Sequence, residues 1–249
     1  MAEPAALSDD RLLDGRLRLR QPRQGYRVAI DPVLLAAFVP AAAGDDVLDM
    51  GCGTGAAALC LASRVPGCAV SGLELSAETA AIARLNAAAN GFAGRIVVHT
   101  GDVADLPEAL RRTFDQVMSN PPYLPAMKGT APPDRGRADA HVESCELMDW
   151  ISACLRRLRP GGWLTLVQRA DRLPELLAAL VGRAGDATVL PLWPRADAAA
   201  ARRVLLRARK GSRGPAVLAR GLVLHEADGR YTEAAEAVLR HGMAIGIGR

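Results

Sequence analysis

DDVLDMGCGTGAAALCLASRV, residues 45–65, decides the fold of this 249-residue chain. Residues 46–50 are a short apolar run bounded by acids, the pattern of a buried strand. Gly51, Gly53 and Gly55 follow at alternate positions, and an Ala/Leu-rich helical stretch begins near residue 55. Strand, glycine turn and helix make the first unit of a parallel α/β sheet. Glycines at this spacing let the backbone turn sharply and approach a ligand closely. The helix N-terminus behind them points its free N–H groups at the same place. The pattern is GxGxG, which differs from the GxGxxG dinucleotide fingerprint and, lacking Gly-Lys-Ser/Thr, from a P-loop.

Working outward, CAVSGLEL (68–75), RIVVHTGD (95–102), FDQVM (114–118) and WLTLVQ (163–168) read as further strands. SAETAAIARLNAAAN (76–90) is a helix capped by Ser76 and closed by Asn90-Gly91. CELMDWISACLRRLRPGG (145–162) is a helix stopped by Pro160-Gly161-Gly162. A helix near 172–182, strands near 186–192, 203–209 and 217–225, and a helix over 232–241 complete the chain. This rhythm predicts a doubly wound, mostly parallel α/β sheet with an antiparallel edge. Residues 1–44 are read as an N-terminal extension packed on a core domain of residues 45–249. Within it, RLRLRQPRQGYR (16–27) alternates like a strand pair, and IDPVLLAAFVP (30–40) opens a helix with Asp31 as N-cap and Pro32 at N1.

Composition bounds the partners. Half the residues are apolar and 4% aromatic, so the core is built from Ala, Leu and Val. The cations number 31, all Arg except Lys128 and Lys210, and the formal charge is +4. That charge mildly favours a polyanionic partner. Arg11–Arg27, and Arg202, Arg203, Arg207, Arg209, Lys210 and Arg213, are candidate phosphate-contacting stripes, with a solvated face as the bland alternative. Lys128, Arg135 and Arg137 fall in a 16-residue polar loop, residues 126–141, a length that often marks function. The five cysteines contain no CxxC pair, and the four histidines share no metal-binding spacing, so no metal is expected. No apolar run approaches the ~18 residues needed to span a bilayer, and MAEPAALSDD is no signal peptide. A soluble, cytoplasmic protein is expected.

Three acids fall at predicted strand ends: Asp49, Glu74 and Asp102. Glu74 is placed to accept from a ribose diol. Asp102 is placed to accept from an adenine amino group. Such an acidic rim suits a nucleoside carrying a sulfonium and an ammonium better than a pyrophosphate. Gly51, Cys52, Gly53, Gly55, Leu75 and Val103 complete that pocket, with Asp31 as either a helix cap or a group near the ligand's cationic end. Tyr26 and Arg27 would line its mouth or pack the N-terminal segment.

SNPPYLP, residues 119–125, ends the strand FDQVM. Two prolines remove two backbone donors and fix φ twice. Asn120 then presents a side-chain acceptor, Pro121 a carbonyl held by Pro122, and Tyr123 a face on which a base can stack. The bland alternative is a rigid turn capped by Asn. The ordered set of glycine turn, strand-end acids and NPPY speaks against coincidence.

With these motifs the sequence resembles the class I S-adenosylmethionine-dependent methyltransferases. VLDMGCGTG (47–55) resembles their cofactor loop, and SNPPY their catalytic tetrapeptide for planar nitrogens. GYRVAIDPVLLAAF (25–38) and LVLHEADGRYTEAAEAVL (222–239) are similar to the bacterial tRNA1(Val) adenine-37 N6-methyltransferase family. The resemblance implies a Rossmann-like seven-stranded sheet of order 3-2-1-4-5-7-6 with strand seven antiparallel. It implies S-adenosylmethionine as cofactor, Asn120, Pro121, Pro122 and Tyr123 as catalytic residues with Asn120 also touching cofactor, and tRNA as the RNA substrate. Release-factor glutamine methyltransferases share NPPY but carry a helical domain ahead of the first strand. Ribosomal-RNA guanine-N2 methyltransferases, and an RNA-binding protein with a vestigial pocket, are the remaining alternatives.

Overall fold

The computed structural model describes residues 7–23, 28–122 and 147–247. A hairpin, β1 (Leu7–Leu12) and β2 (Leu17–Pro22), and a helix, α1 (Asp31–Phe38), precede the sheet. Then come β3 (Asp46–Met50), α2 (Ala56–Arg64), β4 (Ala69–Glu74), α3 (Ala77–Ala89), β5 (Ile96–Thr100) and β6 (Phe114–Ser119). The second half holds α4 (Leu147–Arg157), β7 (Leu158–Arg169), α5 (Leu173–Leu180), β8 (Ala184–Arg195), β9 (Arg203–Lys210), β10 (Val217–Leu218), β11 (Leu222–His225) and α6 (Glu233–Leu239).

The main sheet runs β5-β4-β3-β6-β7-β9-β8. In strand-by-strand terms this is the expected 3-2-1-4-5-7-6. β9 pairs antiparallel with both β7 and β8, and all pairs from β5 to β7 are parallel. Two short strands, β10 and β11, extend this seven-stranded core by pairing parallel to β8. The expected strand over 217–225 is split because Gly221 turns at φ +93, where a Cβ would stand 2.4 Å from the Pro191 carbonyl oxygen.

Alternate residues of the strands feed two apolar layers. Val167 and Leu205 join Leu34, Phe38, Leu59 and Leu61 on the α1/α2 face. Leu164, Leu166 and Leu206 join Met50, Ile151 and Leu176 on the α4/α5 face. Burial of both faces is what a parallel sheet requires of its strands.

Two local expectations change. The helix after residue 145 ends at Arg157 rather than at Pro160, because Leu158 is buried and pairs with Phe114 at the start of β7. The Arg159–Gly162 segment is therefore an irregular strand entry, with Gly161 at φ +76. The N-cap of α1 is Ile30, without a side-chain cap bond, so Asp31 does not cap this helix. The Ser76 cap of α3 is present, accepting from Thr79 N at 3.2 Å. Among the described residues no helix is long and apolar enough to cross a membrane.

The hairpin is held by an unusual partner. Asn86 on α3 and Asn90 at its C-cap, about one helical turn apart, face β2. Asn90 Oδ1 accepts from Arg18 N and its Nδ2 donates to Arg18 O, each at 2.8 Å. Asn86 repeats the pattern on Arg20, again at 2.8 Å for both bonds. Four helical residues rise ~6 Å and two strand residues ~6.6 Å, so the two carboxamides match the spacing of the strand edge. They act as a substitute neighbouring strand.

Candidate active site

The parallel strands β3 to β7 end on one edge of the sheet. Register sets Asp49 beside Gly72 of β4 and Met118 of β6, so the glycine turn after β3 emerges next to the residues after Ser119. Gly51, Gly53 and Gly55 take φ of +75, +55 and +88. At Gly51 a Cβ would also lie 2.9 Å from the Trp150 indole, so both backbone and space exclude a side chain there. Cys52 N donates to Leu73 O at 2.8 Å and fastens the turn to β4. The Cys52 thiol is pushed well above its usual pKa by burial, which leaves it inert as a nucleophile.

Glu74 ends β4 with both carboxylate oxygens anchored. Oε2 accepts from Gly53 N at 3.0 Å and Oε1 from Ser76 N at 2.9 Å. Each oxygen keeps a second lone pair for a ligand hydroxyl. Asp102 lies two residues beyond β5, with Oδ1 bonded to Ala104 N at 2.8 Å. Leu75 is half-buried, and Val103 is buried in the α4/α5 layer. Asp49 is 2% exposed, and its Oδ2 has no hydrogen-bond partner among the described residues. Burial pushes its carboxyl up to about 7; a backbone hydrogen bond from Ala58 opposes the rise and the Glu74 charge adds to it.

Asn120 follows β6 directly. Its Oδ1 is buried and likewise unpartnered. Pro121 is buried and Pro122 half-buried. Both Asn120 and Pro121 precede a proline, which holds each in extended backbone. Tyr123 lies outside the described residues, as do Tyr26, Arg27, Lys128, Arg135 and Arg137. The buried, fully enclosed Ser119 donates to Met50 O at 2.6 Å and accepts from Trp150 Nε1 at 2.9 Å. Asp31 is 4% exposed and bound to Arg203 Nε at 2.6 Å. Among the described residues no cluster of three metal-ligating side chains occurs.

Orphaned buried acceptors cost ~1–3 kcal/mol each unless a ligand satisfies them. Here two, Asp49 Oδ2 and Asn120 Oδ1, flank a glycine turn with two further acids on its rim. A ligand that brings N–H donors and positive charge fits this set, and a pyrophosphate does not. S-adenosylmethionine is such a ligand.

The model of the methyltransferase small domain matches residues 28–187. The chain belongs to that family. S-adenosylmethionine is its cofactor. This methyltransferase is 39% identical over 173 residues to the tRNA1(Val) (adenine(37)-N6)-methyltransferase of Porphyromonas gingivalis, a match covering 65% of this chain and 66% of that one. It is 33% identical over 217 residues to the protein of the same name from Aeromonas hydrophila, covering 85% and 87%. Its structure also superposes on the crystal structure of a "predicted O-methyltransferase" from Agrobacterium tumefaciens with a TM-score of 0.71, at 29% identity over 87% of this chain and 98% of that one. The chain thus spans just under two thirds of the Porphyromonas protein and most of the Aeromonas one.

The arginines of this methyltransferase separate by place. Arg207 sits midway along β9 over the rings of Phe38 and Trp163, at 5.0 and 5.5 Å. Arg209 Nε is tied to Gly161 O at 3.1 Å and Lys210 Nζ to Leu158 O at 2.6 Å, at the edge opposite the site. In the hairpin, Arg16 donates to Arg240 O and Arg18 pairs with Asp9. Only Arg202 and Arg203 of the second stripe lie at the sheet edge that carries Asn120. The sequence reading passed over Ser119 and Trp150. The one available signal was a Ser directly before NPPY, and nothing local links it to an indole 31 residues away.

Proposed function

We propose that this protein transfers a methyl group from S-adenosylmethionine to N6 of an adenine beside the anticodon of a tRNA, in the cytoplasm. The observation that carries the proposal is the buried, unpartnered Asn120 Oδ1, held at the end of β6 beside the β3 glycine turn. An aromatic amine is a weak nucleophile because its lone pair is delocalised into the ring. Asn120 Oδ1 and the Pro121 carbonyl accept its two N–H bonds, which draws the nitrogen toward tetrahedral geometry and frees the lone pair. The paired prolines fix both acceptors before the substrate arrives, so little reorganisation remains at the moment of reaction. Tyr123 supplies a stacking face for a base splayed out of its loop.

Asp49, Glu74 and Asp102 hold the cofactor's donors and positive charge, with Gly51, Cys52, Gly53, Gly55, Leu75 and Val103 shaping the pocket. When bound, S-adenosylmethionine supplies an electrophilic sulfonium methyl. Names of the Porphyromonas and Aeromonas relatives support the adenine acceptor.

Transfer of label from methyl-labelled cofactor to total tRNA of a strain lacking the enzyme tests the proposal. N6-methyladenosine beside the anticodon of one tRNA is expected. Label in a release-factor glutamine, in a guanine of ribosomal RNA, or in neither would overturn it.

A further inference from the structure

The carboxyl end of β7 and the start of β9 enclose a surface cleft lined by Arg169, Ala170, Asp171, Ala201, Arg202 and Arg203. Its place is set by register. Leu166 pairs with Ser119, and Arg169 pairs with Arg203. Arg169 therefore stands three residues beyond Ser119's partner, level with Pro122, and Arg203 stands one strand further out. At ~4.8 Å per strand, β9 lies ~10 Å from β6. The cleft is thus within roughly one or two nucleotides of a base seated at Asn120.

Its charge is positive, and two of its three cations are pre-set. Arg169 is forked onto Asp171 through Nε and Nη2, which leaves part of its five-donor guanidinium facing outward. Arg203 is fixed by the buried Asp31. Arg202 is exposed, and its side chain has no hydrogen-bond or ion-pair partner among the described residues. By contrast, Arg209 and Lys210, further along the same strand, are spent on backbone carbonyls.

We infer that this Arg169–Arg202–Arg203 cleft grips the phosphates flanking the reacting nucleotide of the RNA substrate. The inference rests on the RNA reading of the active site. Guanidinium forks suit phosphate oxygens, and a splayed base carries its backbone charges with it. Anchoring them beside the catalytic corner holds the base in its pocket. Arg202, whose side chain has no partner among the described residues, supplies the contact most easily lost.

Three variants test it: Arg202→Glu, Arg202→Lys, and Arg213→Glu as a control of equal charge change on the exposed loop at the opposite edge. Steady-state methylation of tRNA is measured across salt concentrations, with cofactor affinity by calorimetry. Arg202→Glu is expected to raise KM for tRNA by about tenfold or more and to lower the slope of log K against log salt by about 1 or more. kcat at saturation and cofactor affinity stay near wild type. Arg202→Lys restores most of the loss and Arg213→Glu leaves KM near wild type. A KM and salt slope unchanged by Arg202→Glu, or an equal loss in Arg213→Glu, would overturn the cleft while leaving RNA methylation standing. Methylation by wild type of an acidic protein and of no RNA would instead remove the reading on which the cleft rests.

Discussion

Trp150 Nε1 donates to Ser119 Oγ at 2.9 Å, and the same hydroxyl donates to Met50 O at 2.6 Å. One short chain of hydrogen bonds thus joins α4, the residue before Asn120 and the residue before Gly51. The indole edge also closes over Gly51. Trp150 therefore links the strand end before Asn120 to the glycine turn proposed to hold the cofactor. Trp150→Phe keeps an aromatic ring at this position but removes the N–H and trims the indole edge over Gly51, so we expect kcat to fall by about tenfold, the scale of a modest loss of alignment. Cofactor affinity and melting temperature stay close to wild type. Single-turnover methyl transfer, with calorimetry of the cofactor, checks this; equal loss of rate and affinity would mean the indole only supports the pocket.

Asn120→Ala removes one of the two acceptors assigned to the reacting amine. Removing one pre-aligned polar group from an active site typically costs about 10²–10³ in kcat. We expect that loss with cofactor affinity nearly intact. The orphaned Oδ1 also disappears, so the free variant is as stable as wild type or slightly more so. A variant that turns over normally, or that loses cofactor binding in proportion, contradicts the assignment.

Asp49 carries a pH signature. Its carboxyl sits at about 7 in the fold against a usual 3.8, so the folded chain binds a proton between those values that the unfolded chain does not. The Asp49 contribution therefore favours the folded state least above pH 7 and becomes steadily less unfavourable as pH falls toward about 4. A cationic cofactor beside this carboxyl favours the ionised form, so binding releases a proton near neutral pH. Affinity should rise from about pH 6 to about pH 8, and heats measured in two buffers of different ionisation enthalpy should differ by up to one proton. Asp49→Asn should bind weakly with a flat pH profile. Absence of proton release in wild type would show that the cofactor's charge lies elsewhere.

Local pattern carried the strands, the glycine turn and the Ser76 cap, because each is written in a few consecutive residues. Strand order came with the resemblance rather than with periodicity. What stayed hidden depends on partners far along the chain. Asp31 looks like an N-cap beside Pro32, yet Arg203, 172 residues away, takes its carboxylate. Pro160-Gly161-Gly162 looks like a helix stop, yet the strand has begun at Leu158, whose burial against β6 decides the boundary. The arginine stripe of β9 reads as one surface in sequence and serves opposite edges of the sheet. The two prolines mark Asn120 in the sequence, whereas nothing near Trp150 marks its indole as a partner of Ser119.

Asn86 gives the last prediction. It is fully buried, and besides its two bonds to Arg20 its Nδ2 donates to Thr54 O at 2.9 Å, inside the glycine turn. One carboxamide thus ties the N-terminal hairpin and the cofactor loop to α3. Asn86→Ala strands two carbonyls and one N–H, each worth ~1–3 kcal/mol if it stays dry. Partial relaxation brings the expected loss to about 3 kcal/mol, read as a lower urea midpoint at unchanged slope. Asn90→Ala, at a half-buried position, should cost less. Because Thr54 loses its anchor only in the Asn86 variant, cofactor affinity should drop in that variant and hold in the other. Equal affinities in both would confine Asn86 to fastening the hairpin.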